Sequence, residues 1–196
     1  MATHPRTASV TLDDFLAAQE ASEERSELVD GQIVAMGGAS LGHGLIVTNL
    51  SAALTNALRE GPCRVLSQGM LVKASHAENA FLPDVLVYCG APHIERRRGE
   101  LLLNPVVIVE VLSESTADYD HVKKWENYRR IPSLQDYLLV AQDEPRVERY
   151  TRQEGGMWLF SETVGMDGSV RLESIGTTLS LAETYRGVLS PGGEPL

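Results

Sequence analysis

The chain has 196 residues, of which 43% are hydrophobic and 22% charged, and a formal net charge of -10. That length and balance are those of one soluble globular domain able to bury a proper core. The acidity argues against a broad nucleic-acid-binding face, so any phosphate-binding surface has to be local. No apolar run reaches membrane-span length, and Met1 to Arg6 lack the apolar core of a secretory leader. A cytoplasmic protein is therefore expected, with Cys63 and Cys89 reduced and buried rather than bridged.

Thr11 to Ala18 reads as a short helix with Thr11 as N-cap and Asp14 three positions later. Glu27 to Met36 reads as a hairpin, because Asp30-Gly31 sits between two apolar runs. Gly37 to Ser40 is a turn, with a phosphate-binding glycine loop as the sharper alternative. From His43 to Arg59 the apolar positions recur at helical spacing, and Gly61-Pro62 stops the helix. Arg64 to Lys73 alternates like one half-buried strand. Asp84 to Tyr88 and Val106 to Leu112 are near-continuous apolar strands, as in a sheet covered on both faces. A helix from about Tyr119 to Arg130 ends at Ile131-Pro132. Asp136 to Val140 is another central strand. Val147 to Tyr150, Gly156 to Phe160 and Ser169 to Leu172 suggest a short antiparallel meander, and the last residues a frayed tail. The fold class is α/β (α+β), a mixed central sheet flanked by helices.

Two carboxylates stand out against this background. Glu110 lies in the middle of an apolar strand, where an unpaired charge is costly. Asp84 follows Pro83 at a strand start, placed to point into a cleft. A buried ion pair with Lys73 or Lys124 is one account of Glu110. A hard cation held by oxygen ligands is the better one, and Mg²⁺ suits a site with one or two carboxylates. Asp120, Lys124 and Tyr128 fall at i, i+4 and i+8 on one helix face, which favours Lys124 over Lys123 as the lysine reaching that cleft.

Pro83-Asp84, Glu110-Val111-Leu112-Ser113, and Asp120 with Lys124 and Tyr128 resemble the Uma-two family of the PD-(D/E)XK nuclease superfamily. Glu27 to Gly31 and His43 fit the same family, and the resemblance spans roughly residues 11 to 155. It implies one nuclease-like domain over residues 1–196, with a restriction-endonuclease-like core at about 11–155, extra strands over 156–190 and a flexible tail at 191–196. It also implies a metal-dependent endonuclease acting on DNA with Mg²⁺ or Mn²⁺. Asp84, Glu110 and the Val111 backbone carbonyl would be the ligands, and Lys124 would assist at the phosphate. The superfamily's usual lysine, two positions after the glutamate, is Leu112 here, and Lys124 on the next helix stands in for it. Glu27, His43, Gln68, Asp120 and Tyr128 are candidate cleft or supporting residues, with bland structural readings for each. His76, His93 and His121 read as surface residues, and Trp125, Trp158 and Tyr137 as core or interface aromatics. The rival functions are a nuclease-fold binding module with weak or no catalysis, and a hydrolase of small phosphorylated substrates. Homodimerisation is expected by analogy with nucleases that cut both strands, using the strand edge after Glu144.

Overall fold

The computed structural model describes residues 9–74, 78–113 and 116–189, so His76 and the tail after residue 189 lie outside the described residues. Helix α1 (Leu12–Glu20) is capped as its sequence indicates. The Asp14 N–H donates to Thr11 Oγ1, and the threonine hydroxyl donates to the Asp14 carboxylate. Strands β1 (Ser26–Val29) and β2 (Gln32–Ala35) form the hairpin in register Val29 to Gln32. Its turn is made by Asp30 and Gly31, with φ of 50° and 75°, the left-handed pair a two-residue hairpin loop requires. Helix α2 (Leu41–Ala57) follows, with Ser40 as its N-cap.

The expected strand from Arg64 to Lys73 is two strands in different sheets. β3 (Cys63–Ser67) ends at Gln68-Gly69, where both residues take positive φ, and β4 (Leu71–Lys73) departs in a new direction. The remaining strands in chain order are β5 (Ala80–Phe81), β6 (Val85–Cys89), β7 (Ile94–Arg96), β8 (Glu100–Leu102) and β9 (Val107–Val111). After them come β10 (Asp136–Val140), β11 (Arg146–Arg152), β12 (Trp158–Val164), β13 (Ser169–Leu172) and β14 (Thr177–Ser180). Helix α3 (Ala117–Tyr119), a π-helical turn Asp120–Lys124 and helix α4 (Trp125–Tyr128) run as one rod between β9 and β10. A last helix, α5, covers Leu181–Thr184.

The central sheet is mixed, in the order β12-β11-β10-β9-β6-β3, with only β9 and β10 parallel. The parallel pair forces a crossover, and the helical rod supplies it. A second six-stranded sheet, β2-β1-β5-β4-β8-β7, was not foreseen, because its members are two to four residues long and carry little periodicity. The tail departs from a simple meander: β11 and β12 extend the central sheet, whereas β13 pairs with β14 separately. The central strands alternate in which core they serve. Val107, Val109, Val111, Leu138 and Val140 pack with Ile46, Leu50 and Leu54 of α2. Ile108, Leu112, Tyr137 and Leu139 pack on the opposite face with Tyr128 of α4. Glu110 shares the parity of Ile108 and Leu112, so it emerges on the side of the rod.

Cys63 and Cys89 are bridged rather than reduced. They lie directly opposite each other on antiparallel β3 and β6, and sequence spacing alone does not reveal that register. No helix among the described residues is long and apolar enough to cross a membrane.

Candidate active site

Register brings the two carboxylates together. β6 pairs with β9 through Val85 and Val109, so the residue before β6, Asp84, falls opposite Glu110. The Val111 N–H donates to Asp84 Oδ2 at 2.8 Å, and the Asp84 N–H points at Glu110 Oε2 at 3.4 Å. His43, in the first turn of α2, places Nε2 3.0 Å from Asp84 Oδ1.

The helical rod brings the lysine. Lys124 Nζ lies 2.9 Å from Glu110 Oε1, 3.2 Å from Asp120 Oδ1 and 3.3 Å from Glu27 Oε1. Tyr128 donates its hydroxyl to Glu110 Oε1 at 2.9 Å. The π-turn helps set this register: the Trp125 N–H reaches back to the Asp120 carbonyl, which also accepts the Tyr137 hydroxyl at 3.1 Å. Glu27 is anchored from β1, accepting the Leu82 N–H at 2.9 Å and the Tyr119 hydroxyl at 2.8 Å. Lys123 points away and pairs with Asp30 on the surface. Lys73 is likewise elsewhere, bonded to Glu95, so the Glu110–Lys73 alternative falls.

Glu27, Glu110 and Asp120 are at most 3% exposed and Lys124 is 5% exposed, so water screens none of these charges effectively. Burial would push the Lys124 ammonium toward neutrality, but Glu110, Glu27 and Asp120 outweigh it and hold its pKa well above the usual lysine value. Burial raises the Glu110 pKa well above the ordinary carboxylate range; Lys124 offsets part of this, while Asp120, Asp84 and Glu27 add to it. Asp120 is raised by burial as well, against the pull of Lys124. One ammonium thus faces three carboxylates: they hold it charged, and it offsets only part of what burial does to Glu110 and Asp120. Asp120 Oδ1, though close to Lys124, is a buried oxygen that receives no hydrogen bond among the described residues. Burial, then Glu110, drives the Tyr128 hydroxyl well above its normal pKa, so it remains a donor.

Glu27, Asp84, Glu110, Tyr119, Asp120 and Lys124 line one side of an open cavity of about 830 Å³, with Tyr128 buried behind them. Its rim is the β2–α2 connection from Met36 to Ser40, the Gln68-Gly69 turn, Ser113 and Gln142. The residues 37–40 are thus a cavity rim, bonded through Ser40 Oγ to Gln142 at 2.6 Å. Gln68 lines the cavity from a turn and not, as its sequence context suggested, from a strand. Its N–H donates to the Asp84 carbonyl at 3.1 Å.

Other expectations divide. His93 is exposed, as expected. His121 is not a lone surface residue, because its Nε2 lies 2.8 Å from the buried Glu148. Trp125, Tyr137 and Trp158 join Tyr150 in one aromatic cluster, stacked at Tyr137 and Tyr150 and edge-on at Trp158, packed against the core. Tyr119 was missed. Its hydroxyl holds Glu27 and its ring lies 5.7 Å from Lys124 Nζ, yet a tyrosine at the start of a helix carries no sequence signal for either contact.

The donor set has the chemistry of a hard-cation site. Every first-choice ligand is an oxygen, negative charge exceeds positive, and one buried carboxylate oxygen lacks a directed partner. No three His, Cys, Asp or Glu side chains among the described residues have ligand spacing. A divalent cation here would have two carboxylates, with backbone carbonyl and water to complete its shell.

The chain has relatives among known proteins. Two proteins of Synechocystis sp. (strain ATCC 27184 / PCC 6803 / Kazusa), each described only as uncharacterized, are similar over most of their length. The first, slr1290, is 34% identical over 176 residues, covering 90% of this chain and 91% of its own. The second, sll1609, is 33% identical over 164 residues, covering 84% and 93% respectively. The fold matches a crystal structure of "a putative nuclease belonging to DUF820" from Anabaena variabilis ATCC 29413, with a TM-score of 0.73 at 20% identity, over 90% of this chain and 97% of that one. The model of the Uma2 family, described as "Putative restriction endonuclease", matches residues 12–183, well beyond the span to about residue 155 that the sequence motifs indicate. The chain shares the fold of that Anabaena protein and belongs to the Uma2 family, whose model is described as "Putative restriction endonuclease".

Proposed function

We propose that the chain is a divalent-metal-dependent phosphodiesterase that cuts DNA internally. The observation that carries this reading is the convergence of Asp84, Glu110 and Lys124 on the floor of one open cavity, each fixed by buried hydrogen bonds. In this reading Asp84 and Glu110 hold Mg²⁺ or Mn²⁺ with the Val111 carbonyl. The cation, when bound, supplies positive charge for the phosphate and acidifies water.

The chain's own residues do the rest. Lys124 keeps its proton because three carboxylates surround it, so it serves as a fixed positive charge and not as a proton acceptor. That charge is preorganised where negative charge develops on a reacting phosphate, in a setting where it costs no reorganisation. Glu27 and Asp120 orient the ammonium from two sides, and Tyr119 orients Glu27. The Val111 N–H and His43 fix the two oxygens of Asp84. Tyr128 remains a donor and fixes Glu110 Oε1. The open mouth suits a polymer better than a small phosphorylated compound, which would call for a closed pocket.

One observation favours the rival binding-module reading: the lining holds Glu23, Glu27, Asp84, Glu110 and Asp120 against few basic groups. Cleavage of plasmid and single-stranded DNA with Mg²⁺ or Mn²⁺ separates the two. Loss of activity in Asp84→Asn, Glu110→Gln and Lys124→Met, with folding intact, supports the enzyme. Metal binding through Asp84 and Glu110 without any cleavage supports the module.

A further inference from the structure

We infer that Arg25 is the side chain that grips the nucleic-acid backbone beside the reacting phosphate. The inference rests on the proposed nuclease reading and deepens it by naming a substrate-positioning residue.

Among the described residues three basic side chains line the cavity: Arg25, His43 and Lys124. Two of them are committed. Lys124 is surrounded by Glu27, Glu110 and Asp120, and His43 is engaged with Asp84. Arg25 is exposed, and its guanidinium makes no hydrogen bond or ion pair among the described residues. The basic runs elsewhere do not line the cavity. Arg96, Arg97 and Arg98 pair with acidic groups that include Glu100, Glu95 and Glu20.

The placement of Arg25 is set by the hairpin. Its carbonyl accepts the Met36 N–H at 2.9 Å, which extends the β1–β2 ladder beyond Ser26. Along an extended strand, side chains two apart share a face, so Arg25 lies on the face from which Glu27 enters the site. Two residues of strand separate them by roughly 7 Å, with Glu27 buried at the floor and Arg25 nearer the mouth. A chain of net charge -10 that binds a polyanion needs a local cation not already neutralised, and Arg25 supplies one. Its planar fork of donors matches a phosphate in two places at once.

The test measures binding of a fluorescent short DNA duplex to the full chain in Ca²⁺, across a salt series, with cleavage in Mg²⁺ run alongside. Arg25→Gln is expected to weaken binding about tenfold. It is also expected to make the slope of log affinity against log salt shallower by about 0.9, the loss of one phosphate contact. Arg25→Lys keeps the charge and should restore most of the slope, which a purely structural role would not predict. Unchanged affinity and slope in Arg25→Gln overturn the assignment, even if the wild type cleaves. Binding that depends on Arg25 without any cleavage upholds the assignment and overturns the catalytic reading. A wild type that binds no DNA overturns both.

Discussion

Replacing Lys124 with methionine keeps most of the side-chain volume and removes the one ammonium that faces Glu27, Glu110 and Asp120. Those three carboxylates are almost wholly buried, and their distances to Nζ run from 2.9 to 3.3 Å. Breaking a buried ion pair from one side typically costs about 3–5 kcal/mol, because the surviving charge is left desolvated. Part of that cost is recovered if a carboxylate takes up a proton, so the lower end of the range is expected here. The assay is denaturant unfolding at neutral pH in chelator, so that no cation substitutes for the ammonium. The midpoint should fall with the slope unchanged. Adding Glu110→Gln to Lys124→Met should cost less than the sum of the single changes, with a coupling of about 1–3 kcal/mol. A Lys124→Met variant as stable as the wild type, or strict additivity with Glu110→Gln, would refute the picture of one ammonium balancing a buried acidic cluster.

Tyr128→Phe removes the donor to Glu110 Oε1 and should destabilise by about 1.5–3 kcal/mol, read by thermal or denaturant unfolding. Thr11→Ala removes the cap of α1 and should cost about 1 kcal/mol by the same measurement. The Lys73 hydrogen bond, with Arg97 adding to it, holds the Glu95 carboxyl below its ordinary pKa. A depressed acid stabilises the fold above its unfolded pKa and loses that contribution as pH falls through its folded pKa. Glu95→Gln should therefore cost up to about 1 kcal/mol at neutral pH and nothing once the pH is below that range, a difference a pH series of unfolding curves would show. The Cys63–Cys89 bridge spans 26 residues, and reducing it should lower stability by about 3 kcal/mol. A thiol titration of the unfolded, unreduced chain should find no free thiol from this pair.

Elements whose signals are local are legible in the order of residues alone. Thr11 and Asp14 announce a cap, Asp30-Gly31 a hairpin, and the apolar runs around Glu110 and Leu138 a doubly covered sheet. That order also marked Glu110, since a charge inside such a run demands compensation, and the i, i+4, i+8 spacing of Asp120, Lys124 and Tyr128 singled out the lysine that reaches it. What it could not carry was long-range pairing. The Cys63–Cys89 bridge follows from the register of β3 against β6, and the second sheet is built from strands too short to show a period. The break at Gln68-Gly69 lies within an alternation that reads as continuous, because alternation reports which face is buried and not which sheet receives the strand. The meeting of Glu27, Tyr119 and Lys124 was likewise left to the tertiary structure. Those side chains come from a hairpin and a crossover helix more than ninety residues apart, and only the packing of the helix against both sheets decides that they share one buried volume.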